Sequence, residues 1–200
     1  MRRGRGRGPS GQRWATFLRN HGKAIWARDF LETYDALFRP LFALFIVALE
    51  SRRVVFVNVT RSPSASWVAQ QLGNATPDAV GPRFLICDND DKFGQAFDRV
   101  ADSTGIRILR TPVQAPRANA VCERFLGSVR RECLDHVLIL GERHLHTVLT
   151  EYVHYANEAR PHQGLGQKVP SGTAHTSTTT GRVIAVPVLG GLHHDYRRAA

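Results

Sequence analysis

The sequence predicts a mixed β-sheet with helices on its faces, which is an α/β or α+β domain. Apolar runs typical of strands come first along the chain and then alternate with helical segments, in the order β-β-β-α-β-α-β-α-α. The length of 200 residues and a hydrophobic fraction of 42% suit one core with tails. We therefore expect a disordered basic tail over residues 1–13, a core over 14–165, and an extension with a linker and a short strand over 166–200.

The first three strands are predicted to form a meander. From residue 24, inward and outward positions alternate through Asp29, as in a half-buried strand. Two apolar and β-branched runs, 41–49 and 53–60, follow and are joined by a short turn. Pro63 and the serines beside it are typical of a helix start, so a short helix is expected over 65–72, ending near Gly73.

The second half of the chain is predicted to alternate strands and helices. A buried strand over 83–87 precedes an acidic cluster that begins at Asp88, and a helix over 94–103 is closed by Gly105. A strand over 106–109 leads into an extended loop over 111–117 that contains two prolines. Apolar residues at helical spacing predict helices over 119–133 and 143–158. Residues 171–181 are expected to form a linker, and 183–189 a single short strand.

Charge is the strongest clue to a partner. The chain has 27 Lys and Arg against 17 Asp and Glu, a formal net charge of +10, which indicates a polyanion such as nucleic acid. Its three cysteines lack metal-type spacing and support neither a disulfide framework nor a structural zinc site. The most apolar run, 37–49, is interrupted by Arg39 and Pro40 and is too short to cross a bilayer, and no signal peptide is evident. We therefore expect a soluble, cytoplasmic protein without a membrane partner.

Two carboxylates stand at the ends of apolar strands, Asp29 in the first and Asp88 after the fourth. An ionised carboxylate against an apolar sheet is costly unless it is paired, solvated or bound to a cation. If the two strands are neighbours, the side chains emerge beside each other and form an anionic hole that Mg²⁺ or Mn²⁺ can fill with oxygen ligands. Other acidic residues, Asp35 among them, are interpreted as turn or cap residues.

Helix geometry adds a third carboxylate, Glu123. At about 100° per residue, the apolar residues of the 119–133 helix share one side, while Asn119, Glu123 and Arg130 lie together on its shoulder. Arg124 and Arg131 fall on the outer face, where solvent or DNA would meet them. Three converging carboxylates suit phosphoryl transfer with two metal ions, in which water or a DNA 3′-hydroxyl attacks in line.

Four stretches together resemble the integrase core of bacterial insertion-sequence transposases, the D-D-E group with a retroviral-integrase-like fold. They are WARDF at residues 26–30, FLICDNDDKF at 84–93, APRANAVCERF at 115–125 and YANEARPH at 155–162. Asp88 and Glu123 are 35 residues apart, close to the separation for which the group is named. The resemblance covers about residues 14–170.

The resemblance implies an α/β, ribonuclease H-like fold with a mixed five-stranded sheet flanked by helices. It implies a polynucleotidyl transferase for DNA integration and transposition, in which Asp29, Asp88 and Glu123 are catalytic and hold two Mg²⁺ or Mn²⁺ ions. The implied partners are the DNA of the element ends and of the target, with a homo-oligomer on that DNA in the bacterial nucleoid. The expected DNA contacts are Arg117, Asn119, Arg124, Arg130 and Arg131.

Two alternatives stay open. We expect the family's N-terminal helix-turn-helix region to be missing, which would make the chain a truncated, non-catalytic DNA-binding remnant held on nucleic acid by its charge. A stand-alone ribonuclease H-like nuclease that cuts RNA–DNA hybrids is the other alternative, although the 119–125 motif and the basic residues after it favour integration.

Overall fold

The computed structural model describes residues 14–77, 80–87, 94–110, 119–172 and 181–199, which contain seven strands and five α-helices. The strands are β1 (Ile25–Tyr34), β2 (Pro40–Ala48), β3 (Val54–Thr60), β4 (Phe84–Cys87), β5 (Arg107–Arg110), β6 (Val183–Val188) and β7 (His193–Arg198). The helices are α1 (Trp14–His21), α2 (Ala65–Ala75), α3 (Gly94–Ser103), α4 (Ala120–Glu132) and α5 (Glu142–Glu158). The predicted order of the core elements is confirmed.

The main sheet has five strands in the order β3-β2-β1-β4-β5. β1, β2 and β3 form an antiparallel meander, while β4 and β5 run parallel to β1. The strand that carries Asp29 and the strand that precedes Asp88 are therefore neighbours. Their register pairs Ala27 with Ile86.

Each face of the sheet is covered by its own layer of helices. α4 and α5 pack on one face, where Ala43, Phe45 and Val47 of β2 are buried. α2 and α3 pack on the other face against Leu44 and Ile46. Because β2 is buried on both faces, its sequence is a continuous apolar run without alternation.

Four features differ from the sequence prediction. β1 continues through Tyr34, so Asp29 lies within the strand and not at its end. α1 was not predicted, since its eight residues attach to the core mainly through Phe17, which packs edge-on against Phe84 at 5.1 Å between ring centroids, and Leu18. α2 continues through Gly73 to Ala75. β7 was also missed, because its sequence HHDYRR has no apolar pattern and it pairs with β6 through the backbone.

Several other expectations fall wholly or mostly on residues that the structure does not describe: the tail over 1–13, the extended loop over 111–117 and most of the linker over 171–181. Gly105 does close α3, with φ +71°, as predicted. Cys87, Cys122 and Cys133 are free and buried. Among the described residues, no helix combines the length and apolar character needed to cross a membrane.

Candidate active site

Asp29 lies on the face of β1 that packs against α4. Its neighbours two positions away, Ala27 and Leu31, are buried in that layer, and side chains at alternate positions share a face. The carboxylate is half-buried, and both of its oxygens accept hydrogen bonds. Oδ1 accepts one from the backbone N–H of Phe30 at 2.8 Å, and Oδ2 accepts one from the side-chain amide of Asn119 at 3.1 Å.

Asn119 stands immediately before α4 and is only 5% exposed. Asparagine at this position usually caps the helix, but here the side chain makes no capping hydrogen bond and instead contacts Asp29. Its Oδ1 is buried and has no hydrogen-bond partner among the residues that the structure describes. Asn119 therefore joins the start of α4 to the carboxylate on β1.

Glu123 follows one helical turn later, with its backbone N–H donating to the carbonyl of Asn119 at 3.0 Å. Glu123 and Asp29 line the same open cleft of about 280 Å³, together with Glu32 and Arg130. Burial raises the pKa of the Cys122 thiol well above its ordinary value, and the charges of Asp29 and Glu123 raise it further because both carboxylates lie near that thiol. The structure thus brings two of the three predicted carboxylates together.

Asp88 and Arg117 lie outside the described residues. Asp88 directly follows Cys87, the last residue of β4, and in the register of β1 with β4 both Asp29 and Asp88 come two positions after the pair Ala27 and Ile86. No group of three His, Cys, Asp or Glu side chains that could hold a metal is present within the described ranges.

The other predicted DNA contacts are exposed arginines on α4. Arg130 lines the cleft of Asp29 and Glu123, and its Nη2 donates to the carbonyl of Glu32 at 2.9 Å. Arg124 faces the opposite side of α4, where its Nε donates to the carbonyl of Ala120 at 2.9 Å. Arg131 folds back over Gly127. Arg130 and Arg124 thus lie at different cavities, as the helical wheel predicted, whereas Arg131 lies over a residue of the Arg130 cleft.

Arg28, next to Asp29, points to the other face of the sheet and is 3% exposed. Its Nε donates to the sulfur of Cys87 at 3.2 Å, and its guanidinium lies 5.1 Å from the ring centroid of Phe97. Burial raises the pKa of the Cys87 thiol, while the charge of Arg28 and its hydrogen bond oppose that rise. Arg28 thus lies within β1, and its burial was not predicted from the sequence.

The YANEARPH stretch fastens α5 to the rest of the core. The side chain of Asn157 bonds to both backbone groups of Val54 at the start of β3, at 2.9 Å each. Arg160 forms an ion pair with Glu132 at the end of α4 at 2.6 Å, and the hydroxyl of Tyr152 donates to the same carboxylate at 2.8 Å. The sequence did not predict these structural contacts, because the stretch was interpreted only as a family signature.

The sequence is similar to a protein-family model and to two proteins of insertion elements. Residues 104–170 match a family model described as "Integrase core domain". The chain is 28% identical over 188 residues to an uncharacterized 39.2 kDa protein of insertion element IS476 from Xanthomonas euvesicatoria. It is 27% identical over 148 residues to an uncharacterized 31.7 kDa protein of insertion element IS407 from Burkholderia multivorans. These matches cover 92% and 74% of this chain but 54% and 53% of the relatives, so the chain spans about half the length of the curated relatives it matches.

Solved structures share the fold at low sequence identity. A simian T-cell lymphotropic virus intasome superposes with a TM-score of 0.62 at 16% identity, covering 88% of this chain and 67% of that chain. The HTLV-2 integrase catalytic core domain in complex with magnesium superposes with a TM-score of 0.59 at 16% identity, covering 74% of this chain and 94% of that chain. The predicted ribonuclease H-like fold with a mixed five-stranded sheet is confirmed.

Proposed function

We propose that this chain cleaves DNA and joins DNA strands as a transposase, since it matches the integrase core family model over residues 104–170 and is similar to insertion-element proteins. One observation carries the proposal: Asp29 on β1 and Glu123 on α4 line a single open cleft. Asp88 follows the strand paired with β1 and is the third member of the proposed catalytic set. The proposed partners are the DNA of the element ends and of the target, bound by a homo-oligomer in the bacterial nucleoid. The intasome among the structures with this fold supports such an assembly.

Asp29, Asp88 and Glu123 would hold two Mg²⁺ or Mn²⁺ ions. The cleft suits such ions because its acidic donors are carboxylate oxygens, which hard cations prefer, and because Asn119 places a buried oxygen without a partner among the described residues beside Asp29. The magnesium in the HTLV-2 core domain of the same fold supports this choice of cation. When bound, the ions would activate the attacking water or 3′-hydroxyl and neutralise charge on the phosphate.

The protein's own groups position the reaction. Asn119 and the N–H of Phe30 hold the two oxygens of Asp29, so the carboxylate is oriented before any ligand arrives. Arg130, anchored on the carbonyl of Glu32, places a positive charge at the rim of the cleft, where it would contact a DNA phosphate. Arg117, Arg124 and Arg131 are proposed as further phosphate contacts. For Asn119, its burial against Asp29 favours this orienting role over the predicted DNA contact.

Single-turnover cleavage and strand transfer on oligonucleotides that bear the element ends test this proposal. We expect Asp29→Asn, Asp88→Asn and Glu123→Gln each to lower the rate in Mg²⁺ and in Mn²⁺ by about a hundredfold or more, since each removes a ligand from ions that stabilise the transition state. Asp102→Asn, at an exposed position on α3, is the matched control and should keep the rate within about twofold.

Other results of this experiment would remove Asp88 from the mechanism or favour one of the two alternative functions. Equal rates for the parent and Asp88→Asn would remove Asp88 from the mechanism and make Asp90 the next residue to test. Salt-dependent DNA binding without metal-dependent cleavage under any condition would identify a DNA-binding remnant. Cleavage of an RNA–DNA hybrid without strand transfer would identify a ribonuclease H-like nuclease.

A further inference from the structure

A second cavity lies on the side of α4 that faces away from Asp29 and Glu123, with a volume of about 210 Å³. Its lining combines residues that are far apart in the sequence: Arg52 in the β2–β3 turn, Arg124 and Ser128 on α4, and His162 after α5. Arg52 and Ser128 belong to no motif in the sequence, and His162 is the last residue of the YANEARPH stretch. The cavity exists because the β2–β3 turn and the segment after α5 meet beside α4.

The cavity is positively charged. Arg160 at its edge is paired with Glu132, but Arg52 and Arg124 form no ion pair within the described part of the chain. Burial lowers the pKa of Arg52, and the charge of Arg124 lowers it further because the two cations are close. Burial also lowers the pKa of His162, and the charges of Arg160 and Arg52 lower it further. Like charges that converge without a carboxylate indicate a place for an anion.

The backbone at Arg52 supports the same interpretation. Arg52 has φ +62°, in the left-handed region that glycine or asparagine usually occupies in a turn. Its N–H donates to the carbonyl of Ala48 at 2.9 Å, and its guanidinium lies against Gly164, where an added Cβ would be 3.4 Å away. Unusual backbone conformations that are held in this way cluster at ligand sites.

We propose that this cavity binds a phosphate of the nucleic-acid backbone, with Arg52 and Arg124 as charged donors and the Ser128 hydroxyl as a further hydrogen-bond donor. Guanidinium groups match phosphate oxygens because their N–H donors form a planar fork. The inference rests on the proposed function for the identity of the partner, DNA, but the site itself requires no metal ion.

The position of the cavity fits a DNA strand that also reaches the acidic cleft. Glu123 and Arg130 project from one side of α4, and Arg124 and Ser128 project from the opposite side, so the two sites are separated by about one helix diameter, ~10 Å. A phosphate bound in this cavity would therefore belong to a nucleotide close to the one whose phosphate occupies the acidic cleft.

DNA affinity measured by fluorescence anisotropy in EDTA, as a function of salt, tests the inference. We expect Arg52→Ala and Arg124→Ala each to weaken binding of a labelled duplex by about five- to tenfold and to reduce the slope of log K against log salt by about 1. Arg53→Ala is the matched control, because it removes the same charge from an exposed neighbour in the same turn, and should weaken binding by about twofold or less.

The inference would be overturned if Arg52→Ala and Arg53→Ala weaken DNA binding equally. It would also be overturned if Arg52→Ala, or Arg124→Ala, leaves DNA affinity unchanged. If inorganic phosphate raises the Tm of the parent but not of Arg52→Ala while DNA affinity is unchanged, the site takes free phosphate and the DNA assignment is wrong. Should Arg52→Ala fold poorly, Arg124→Ala carries the test, since its side chain is exposed on a helix. EDTA keeps the result independent of catalysis, so strand transfer can fail while this inference stands.

Discussion

Asn157 shows how one side chain can connect two elements. The residue is buried, and its amide accepts from the N–H of Val54 and donates to the carbonyl of the same residue, at 2.9 Å each. Because β3 is an edge strand of the main sheet, this amide takes the place that a neighbouring strand would otherwise fill. The conspicuous asparagine of the YANEARPH stretch therefore has a structural role.

Replacing Asn157 by alanine should lower the free energy of unfolding by about 2–4 kcal/mol, because it leaves two buried backbone groups of Val54 without partners. Urea denaturation followed by circular dichroism measures the change. Asn74→Ala, at an exposed position near the end of α2, is the control and should change the free energy by about 0.5 kcal/mol or less. If the two variants have the same free energy of unfolding, the hydrogen bonds between Asn157 and Val54 contribute little to stability.

At the scale of elements, the turn between β1 and β2 is organised around Asp35. Its carboxylate is buried, accepts from the N–H groups of Leu37 and Arg39 at 2.9 and 3.0 Å, and pairs with the guanidinium groups of Arg39 and Arg61. Burial opposes ionisation, but the hydrogen bonds from Arg39, Arg61 and Leu37 outweigh it and hold the pKa of Asp35 well below its ordinary value. The interpretation of Asp35 as a turn residue is confirmed, and Arg61 connects the turn to the end of β3.

The pH dependence of stability should reflect this carboxylate. A folded pKa below the unfolded value of about 3.9 stabilises the protein at neutral pH, and the stabilisation is lost as the pH falls below about 4. Asp35→Asn should therefore have a lower Tm than the parent at pH 7, with a difference that narrows in acid. Thermal unfolding between pH 7 and pH 3 measures it, with Asp102→Asn as control. A difference that stays constant with pH would show that Asp35 acts through packing.

For the whole molecule, the positions of the charged side chains matter more for nucleic-acid binding than the total charge does. Four carboxylates in the described part of the chain are paired with arginines: Asp35, Asp98, Glu132 and Asp195. On α4, Arg124 lines one cavity and Arg130 lines the other. Exposed positive charge is therefore present on both sides of α4, from Arg130 at one cavity and Arg124 at the other. A surface of this kind attracts the phosphate backbone irrespective of base sequence.

DNA binding in EDTA should therefore depend steeply on salt. If Arg52, Arg124, Arg130 and Arg131 each neutralise a phosphate, log K should fall against log salt with a slope of about −3.6 or steeper. A duplex with uncharged methylphosphonate linkages is the control and should bind far more weakly. Affinity that hardly changes with salt would exclude a backbone-binding surface of this size.

Local pattern was sufficient to predict most of the architecture. The order of the core elements and the side of α4 that carries Glu123 follow from apolar spacing, since the period of that spacing states which face is buried. β7 was not predictable in this way, because its polar sequence pairs through backbone groups that every residue has.

The sequence by itself determined which carboxylates to examine, because Asp29 follows an apolar strand pattern and Glu123 a helical one. Only the tertiary structure decided that Asn119 orients Asp29, 90 residues earlier, and that Arg52 and His162 share a cavity. Such contacts depend on strand register and helix packing between distant segments, which no local spacing of residue types encodes.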